Sequence, residues 1–538
     1  MKFLLFVFLF PLMSFSQFLS TKEDSLRGSI TKERVWWDVV EYRLDITPDI
    51  SNKKIKGQND ILFKTISNSL KMQLDLQKPM KIDSVLFEGK KLLVESLKDV
   101  WYVSIPSLPV CNSIYQLSVY FSGVPQEAKL APWDGGWVWS IDDLGRPFVS
   151  VACQGLGASS WYPCKDHQSD EPDRGAEITL RSRNNLIGVS NGRLISNELS
   201  EDFNRITKWK VKNPINNYNI IPSFGYFKSF SEIYEGEKGP LDCQYWVLDY
   251  DIEKAKDQFL QVTKMLSCFE YWFGPYPFYE DSYKLIQAPF LGMEHQSGIA
   301  YGNGFSNGYK LRDLSESGWG LKWDFILVHE SGHEWFGNSI TSKDIADMWV
   351  HEAFTNYSEV LFTECEYGKM AGQEYLVGLR QNILNDKPII GEFDVHNQGS
   401  SDMYYKGSNM LHMIRQLVKD DEKFRLMLRE MNKKFYHQTV SGVEVEDFIN
   451  NYFSLDFSKV FNQYLRTVDV PVFEYQLLES KIKYRWSNCI EGFDMSFRNN
   501  SGVLIKCSTD WVTVENNKGV DYFMPNDNFY VRKRKVID

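Results

Sequence analysis

Apolar positions change their period twice along this chain. Up to about residue 228 they alternate with polar ones over short stretches bounded by turn residues, at 42–47, 55–65, 71–76 and 206–211 among others. Period two predicts strands, here those of a β-sandwich or saddle. From Asp251 the spacing becomes three and four, through Phe259, Val262, Leu266, Phe269 and Trp272 or Phe273, and stops at Gly274-Pro275. That is an amphipathic helix opening a mostly helical region that runs to about Thr467. After Pro471 alternation returns at 482–486, 493–497, 503–507 and 511–514, with a last strand at 529–537. The expected fold is therefore α+β and multidomain: a β-domain over 17–228, a mainly helical domain over 229–470 and a small β-domain over 471–538. Internal repeats and low-complexity tracts are not evident.

The ends and the composition refine this picture. Met1-Lys2, an apolar stretch over 3–13 and Ser14-Phe15-Ser16-Gln17 have the three parts of a secretory signal, so cleavage after Ser16 and export to the periplasm or outside are expected. That stretch is too short for an ordinary membrane span and no later segment approaches about 18 apolar residues, so no stable span is expected. A cysteine for a lipid anchor is missing at the cleavage site. A net charge of −11, with no basic run beyond Arg532-Lys533-Arg534-Lys535, argues against nucleic acid as a partner. That run reads as charges on the last strand. The eight cysteines are even in number but their spacings form no framework. Cys489 with Cys507 is the first pair to test for a disulfide, and zinc binding by cysteine is not expected without a CxxC pair.

The chemistry concentrates at His329-Glu330-Ser331-Gly332-His333, with Glu352 nineteen residues after the second histidine. Four residues on a helix turn through about 400°, so both imidazoles leave one face and reach one metal ion. Two imidazoles and a carboxylate hold one Zn²⁺ and leave a fourth position for water. Glu330, about 100° round from His329, is placed as general base rather than ligand. The apolar run 325–328 enters this helix, Gly337-Asn338 is its expected cap, and Gly332 inside it implies close packing. Glu352 is expected in the first turns of a second helix over about 348–365, capped by Asp344 or Asp347 and ended before Gly368. Glu359, seven residues on, either orients a ligand histidine or is an exposed helical glutamate. His167, His396, His412 and His437 have no ligand spacing.

His329 to Asn338, followed by Trp349-Val350-His351-Glu352-Ala353-Phe354, resembles the zinc signature of the aminopeptidase N and leukotriene hydrolase family, HExxHxWFGN with a WLNEGF block. His351 and Ala353 depart from that pattern. Leu291-Gly292-Met293-Glu294-His295 resembles the family's Gly-x-Met-Glu-Asn exopeptidase motif, with leucine and histidine at its ends. Tyr404-Tyr405-Lys406-Gly407 is similar to its Tyr-x-Lys-Gly block, and Gln154, nine residues before Pro163-Cys164, falls where the family has a glutamine for the substrate's amino terminus. Over about 37–472, this resemblance implies a thermolysin-like zinc domain packed on a β-rich one. It implies zinc on His329, His333 and Glu352, Tyr404 as oxyanion donor, and a substrate-binding set of Gln154, Gly292, Met293, Glu294 and His295. The family's large C-terminal helical domain is not expected. The function implied is an exported aminopeptidase acting on peptides. A zinc endopeptidase and a catalytically silent peptide-binding homologue are the alternatives. A protonated His295 is expected to compete with the substrate's ammonium at mildly acidic pH.

Overall fold

The computed structural model describes residues 20–107, 110–183, 185–200 and 204–537. The expected signal segment lies outside them. Trp37–Asp49 pairs antiparallel with Lys54–Thr65 and parallel with Ala176–Arg183 at the centre of an eight-stranded sheet. Their alternate side chains are buried, as period two requires. A four-stranded and a three-stranded sheet complete this β-rich part. Its core is aromatic, with Trp36, Trp37, Trp137, Trp161 and Trp209 all essentially buried.

A five-stranded sheet follows, in the order Phe227–Gly236, Gly239–Leu248, Tyr283–Gln287, Ile299–Tyr301, Gly292–Met293. Its outermost strand, Gly292–Met293, pairs antiparallel with Ile299–Tyr301. Alternate residues of these strands enter two different cores. Leu285, Ile299 and Tyr301 pack with the helices, whereas Ile286, Met293 and Ala300 pack with the N-terminal sheets.

Five helices matter for the site: α1 (Gln261–Phe273), α2 (Phe325–Gly332), α3 (Trp349–Tyr367), α4 (Lys369–Leu379) and α5 (Tyr405–Val418). The helix expected from Asp251 is two, Ile252–Gln258 and α1, separated at Phe259-Leu260. Val262, Leu266, Phe269 and Phe273 form the buried stripe of α1, and Gly274 ends it with φ of 95°. A disulfide between Cys268 on α1 and Cys365 on α3 ties these helices together. Cys489 and Cys507 are free thiols, so the pair chosen from sequence is corrected. The true pair lies 97 residues apart, and only the packing of two helices brings it together.

The C-terminal strands Val472–Leu477, Lys481–Ser487, Val512–Glu515 and Arg532–Lys535 make one sheet. Only Arg532–Lys535 of the expected last strand is paired, parallel to Val472–Leu477, with Arg534 bound to Glu474. Phe473, Trp486 and Phe497 from this part share one continuous core with α1, α3 and α5. No helix among the described residues is long and apolar enough to cross a membrane.

Candidate metal centre

Asp324 starts α2, its carboxylate accepting from the Leu327 amide (3.2 Å) and from the Tyr301 hydroxyl (2.6 Å). One bond satisfies an orphan amide of the first turn and the other fixes the helix to the sheet. Regular helix ends at Gly332, earlier than the expected cap at Gly337-Asn338. His333 still has helical dihedrals (φ −64°, ψ −20°), and the Phe336 amide donates to Gly332 O at 3.2 Å. The second histidine therefore keeps its angular relation to the first. A Cβ on Gly332 would come within 2.4 Å of Ser358 Oγ, so the expected close packing is present, between α2 and α3.

Glu352 lies in the first turn of α3. Neither expected aspartate caps that helix. Asp344 caps the short turn before it, accepting from the Ala346 amide at 2.9 Å, and Asp347 accepts from the Gly442 amide at 2.8 Å. Glu352 Oε2 sits 3.3 Å from His333 Nε2 and 3.8 Å from His329 Nε2. Tetrahedral ligands with bonds of about 2.0–2.1 Å lie about 3.4 Å apart, so these spacings suit zinc. The other face of each ring is committed. His329 Nδ1 donates to Glu359 Oε1 (2.7 Å) and His333 Nδ1 to Phe336 O (2.9 Å). Carboxylate and carbonyl can only accept, which assigns the proton to Nδ1 and leaves both Nε2 lone pairs free. Glu352 Oε2 is buried without a hydrogen-bond partner, an orphan that a cation satisfies. The donor set fits a zinc ion.

Glu359 is fully buried, not an exposed helical glutamate, and its second oxygen accepts from the Tyr375 hydroxyl at 2.6 Å. Thr355 Oγ1 approaches His333 Nδ1 at 3.1 Å. Thr355 went unremarked in the sequence, although it sits one turn on from Glu352. The departure at His351 is structural, its Nε2 accepting from the Ser342 amide at 2.8 Å.

Carboxylate oxygens of Glu294 and Glu330 and a ring nitrogen of His333 all lie within 4.8 Å of one another. Burial pushes the Glu330 carboxyl up to about 7 against the pull of both histidines. Gly292 lies directly against Glu330, a Cβ there falling 2.8 Å from Oε1. Met293 turns its side chain into the N-terminal core. Glu294 Oε1 accepts from Gln154 Nε2 (2.5 Å) and the Tyr218 hydroxyl (3.0 Å), and its backbone carbonyl accepts from Asn338 Nδ2 (2.8 Å). Tyr218 carries no sequence signal. The Tyr404 ring stacks on His329 with centroids 6.0 Å apart. Burial raises its phenol, and the charges of Glu352 and Glu294 raise it further; burial also raises Tyr405, but the groups that add to it there are Glu359 and Tyr309. Tyr404 is the one that faces the zinc ligands.

His295 is the correction. Its ring is wholly buried, both nitrogens lack partners, and burial alone lowers it to about 3. No carboxylate supports its protonated form, so it stays neutral through mildly acidic pH and cannot compete with an ammonium.

Residues 262–464 match the family described as Peptidase family M1 domain. Among curated proteins, leukotriene A-4 hydrolase of Xenopus laevis is 26% identical over 337 residues, covering 59% of this chain and 52% of its own length. The probable aminopeptidase 1 of Sulfurisphaera tokodaii is 23% identical over 457 residues, covering 80% and 53%. Thus the chain spans about half the length of the curated relatives it matches. An M1 zinc metallopeptidase from Deinococcus radiodurans, solved with a Tyr-Ser-Ala substrate, superposes with a TM-score of 0.67 at 17% identity, over 81% of this chain and 95% of that one. The arrangement of a mainly helical domain on a β-rich N-terminal part is thereby shared.

Proposed function

We propose that this chain is an exported zinc aminopeptidase that removes residues one at a time from the amino terminus of peptides. The observation that carries this reading is Glu294, a buried carboxylate beside the general base and a zinc ligand with no cation of its own. Gln154 and Tyr218 hold it in place without neutralising it. A substrate α-ammonium supplies the missing charge and fixes where the peptide must begin. An endopeptidase has no use for such a group.

Zinc, when bound, polarises the scissile carbonyl and makes water acidic enough to lose a proton near neutral pH. Glu330 takes that proton and passes it to the leaving nitrogen. Tyr404 donates its hydroxyl to the oxygen on which charge develops. Gly292 and Met293 line the edge along which the substrate backbone runs. Export is supported by the apolar segment at the start of the chain and by the Cys268–Cys365 disulfide, since disulfides persist in oxidising compartments.

The test compares peptides with free and acetylated amino termini on the zinc-loaded protein. Acetylation removes the ammonium and leaves Glu294 unpaired, which costs about 3–5 kcal/mol, or roughly two to four powers of ten in kcat/KM. Glu294→Ala should erase most of that discrimination. Internal cleavage of acetylated peptides at the rate of free ones would reject the aminopeptidase in favour of the endopeptidase.

A further inference from the structure

Directly after Glu294 the chain makes a tight turn, closed by the Gly298 amide donating to His295 O at 2.9 Å. Ser297 stands at its third position with φ of 49°, in the left-handed region where glycine is the usual choice. Serine is strained there, and what it offers beyond glycine is a hydroxyl. That hydroxyl accepts from the Gly192 amide of the N-terminal part at 3.0 Å.

Both backbone groups of Ser297 are bound by buried charges. Its amide donates to Glu334 Oε1 at 2.9 Å, and Glu334 directly follows the candidate ligand His333. Its carbonyl accepts from Lys284 Nζ at 3.1 Å. The same ammonium donates to Ser190 O at 3.3 Å and to Gly192 O, so each of its three hydrogens has a carbonyl. Ser297, Glu334 and Lys284 are all fully buried. Burying a carboxylate and an ammonium is costly, yet both end on one neutral residue. Ser297 is thereby bonded at once to the segment that follows α2, to the strand Tyr283–Gln287 and to the N-terminal part.

We propose that Ser297 is a positioning residue, held by Glu334 and Lys284 so that the turn carrying Glu294 keeps a fixed distance from the metal cluster. Asn338 Nδ2 on Glu294 O fixes one end of the segment, and Ser297 fixes the other. The residue next to a metal ligand thus gauges where the carboxylate for the substrate's α-ammonium stands. A displacement of about 1 Å in such a constellation can cost about 10² in rate. This rests on the aminopeptidase reading, and the test separates the two.

The ratio of kcat/KM for peptides with free and acetylated amino termini is measured on the zinc-loaded full chain, beside the zinc Kd by chelator competition. Glu334→Leu should lower that ratio at least about tenfold while the zinc Kd stays within about threefold of its starting value. Glu334→Gln keeps an acceptor for the Ser297 amide and should recover part of the ratio. Ser297→Gly relieves the strained φ but loses the hydroxyl, so it should lower the ratio at least about threefold and carries the test should Glu334→Leu fail to fold. Variants that melt earlier but keep the full ratio would show a role in stability alone and overturn the proposal. A ratio that falls only together with zinc affinity overturns it too. If the unsubstituted protein does not favour the free peptide, the aminopeptidase reading fails, and hydrogen exchange over residues 293–298 decides the clamp alone. Exchange at least about tenfold faster in Glu334→Leu or Ser297→Gly, with α2 still protected, supports the clamp. Unchanged exchange, or equal quickening in α2, overturns it.

Discussion

Replacing Glu359 by glutamine tests how far zinc affinity depends on a residue that never touches the metal. Glu359 Oε1 accepts from His329 Nδ1 (2.7 Å) and from Asn356 Nδ2 (2.9 Å), and Oε2 accepts from Tyr375 OH (2.6 Å). Glutamine keeps the shape and one acceptor but exchanges a charge-assisted bond to the imidazole for a neutral one. Bonds to charged groups contribute about 1.5–3 kcal/mol and neutral ones about 0.5–1.5, a difference of about 1–1.5 kcal/mol. One power of ten corresponds to about 1.4 kcal/mol, so the zinc Kd should rise about tenfold. Competition with a chromophoric chelator reads this directly, and activity at saturating zinc should recover most of its value. Thr355→Val is the matched control, because His333 Nδ1 retains the Phe336 carbonyl at 2.9 Å; its Kd should rise less than about threefold. Unchanged zinc affinity in Glu359→Gln, or an equal loss in Thr355→Val, would refute the argument.

Glu330→Gln should retain zinc and its melting temperature while losing about two to four powers of ten in kcat, read by metal analysis beside steady-state kinetics. Tyr404→Phe should lower kcat by about 10²–10³ with little change in KM, whereas Tyr405→Phe should leave both near their starting values. Cys268→Ser should cost up to about 4–5 kcal/mol in denaturant unfolding, because the bridge closes a loop of 97 residues.

The candidate metal cluster was legible because its chemistry is written in local spacing: His329, Glu330 and His333 share one turn, and Glu352 follows on the next helix. Glu359 was half legible, since helical periodicity gave its face but not its burial. Tyr218 was not, because an isolated tyrosine acquires its role only when the N-terminal sheets dock against the strand before Glu294. The disulfide failed for the same reason, a pairing made by helix packing across 97 residues. Misjudging His295 came from reading adjacency as contact. Successive residues at a strand's end point to opposite sides, so its ring lies in a dry interior while Glu294 faces the ligands. The small C-terminal strands were legible from their period, and what the period did not tell is that Phe473, Trp486 and Phe497 pack in one core with the helices. Strand periodicity reports that a face is buried, not against what.

The two-faced sheet gives the two halves of the site different foundations. His329, His333 and Glu352 stand on helices rooted in one core, so their mutual distances are set within a single packed body. Glu294 hangs from a strand whose Met293 is embedded in the other core, and it is steadied by Gln154 and Tyr218 from that side. A small slip of one body over the other leaves the metal geometry intact and moves Glu294, the acid proposed to measure where a peptide starts. Mutations deep among the N-terminal tryptophans should therefore blur end recognition first, producing an enzyme that still hydrolyses but no longer counts from one.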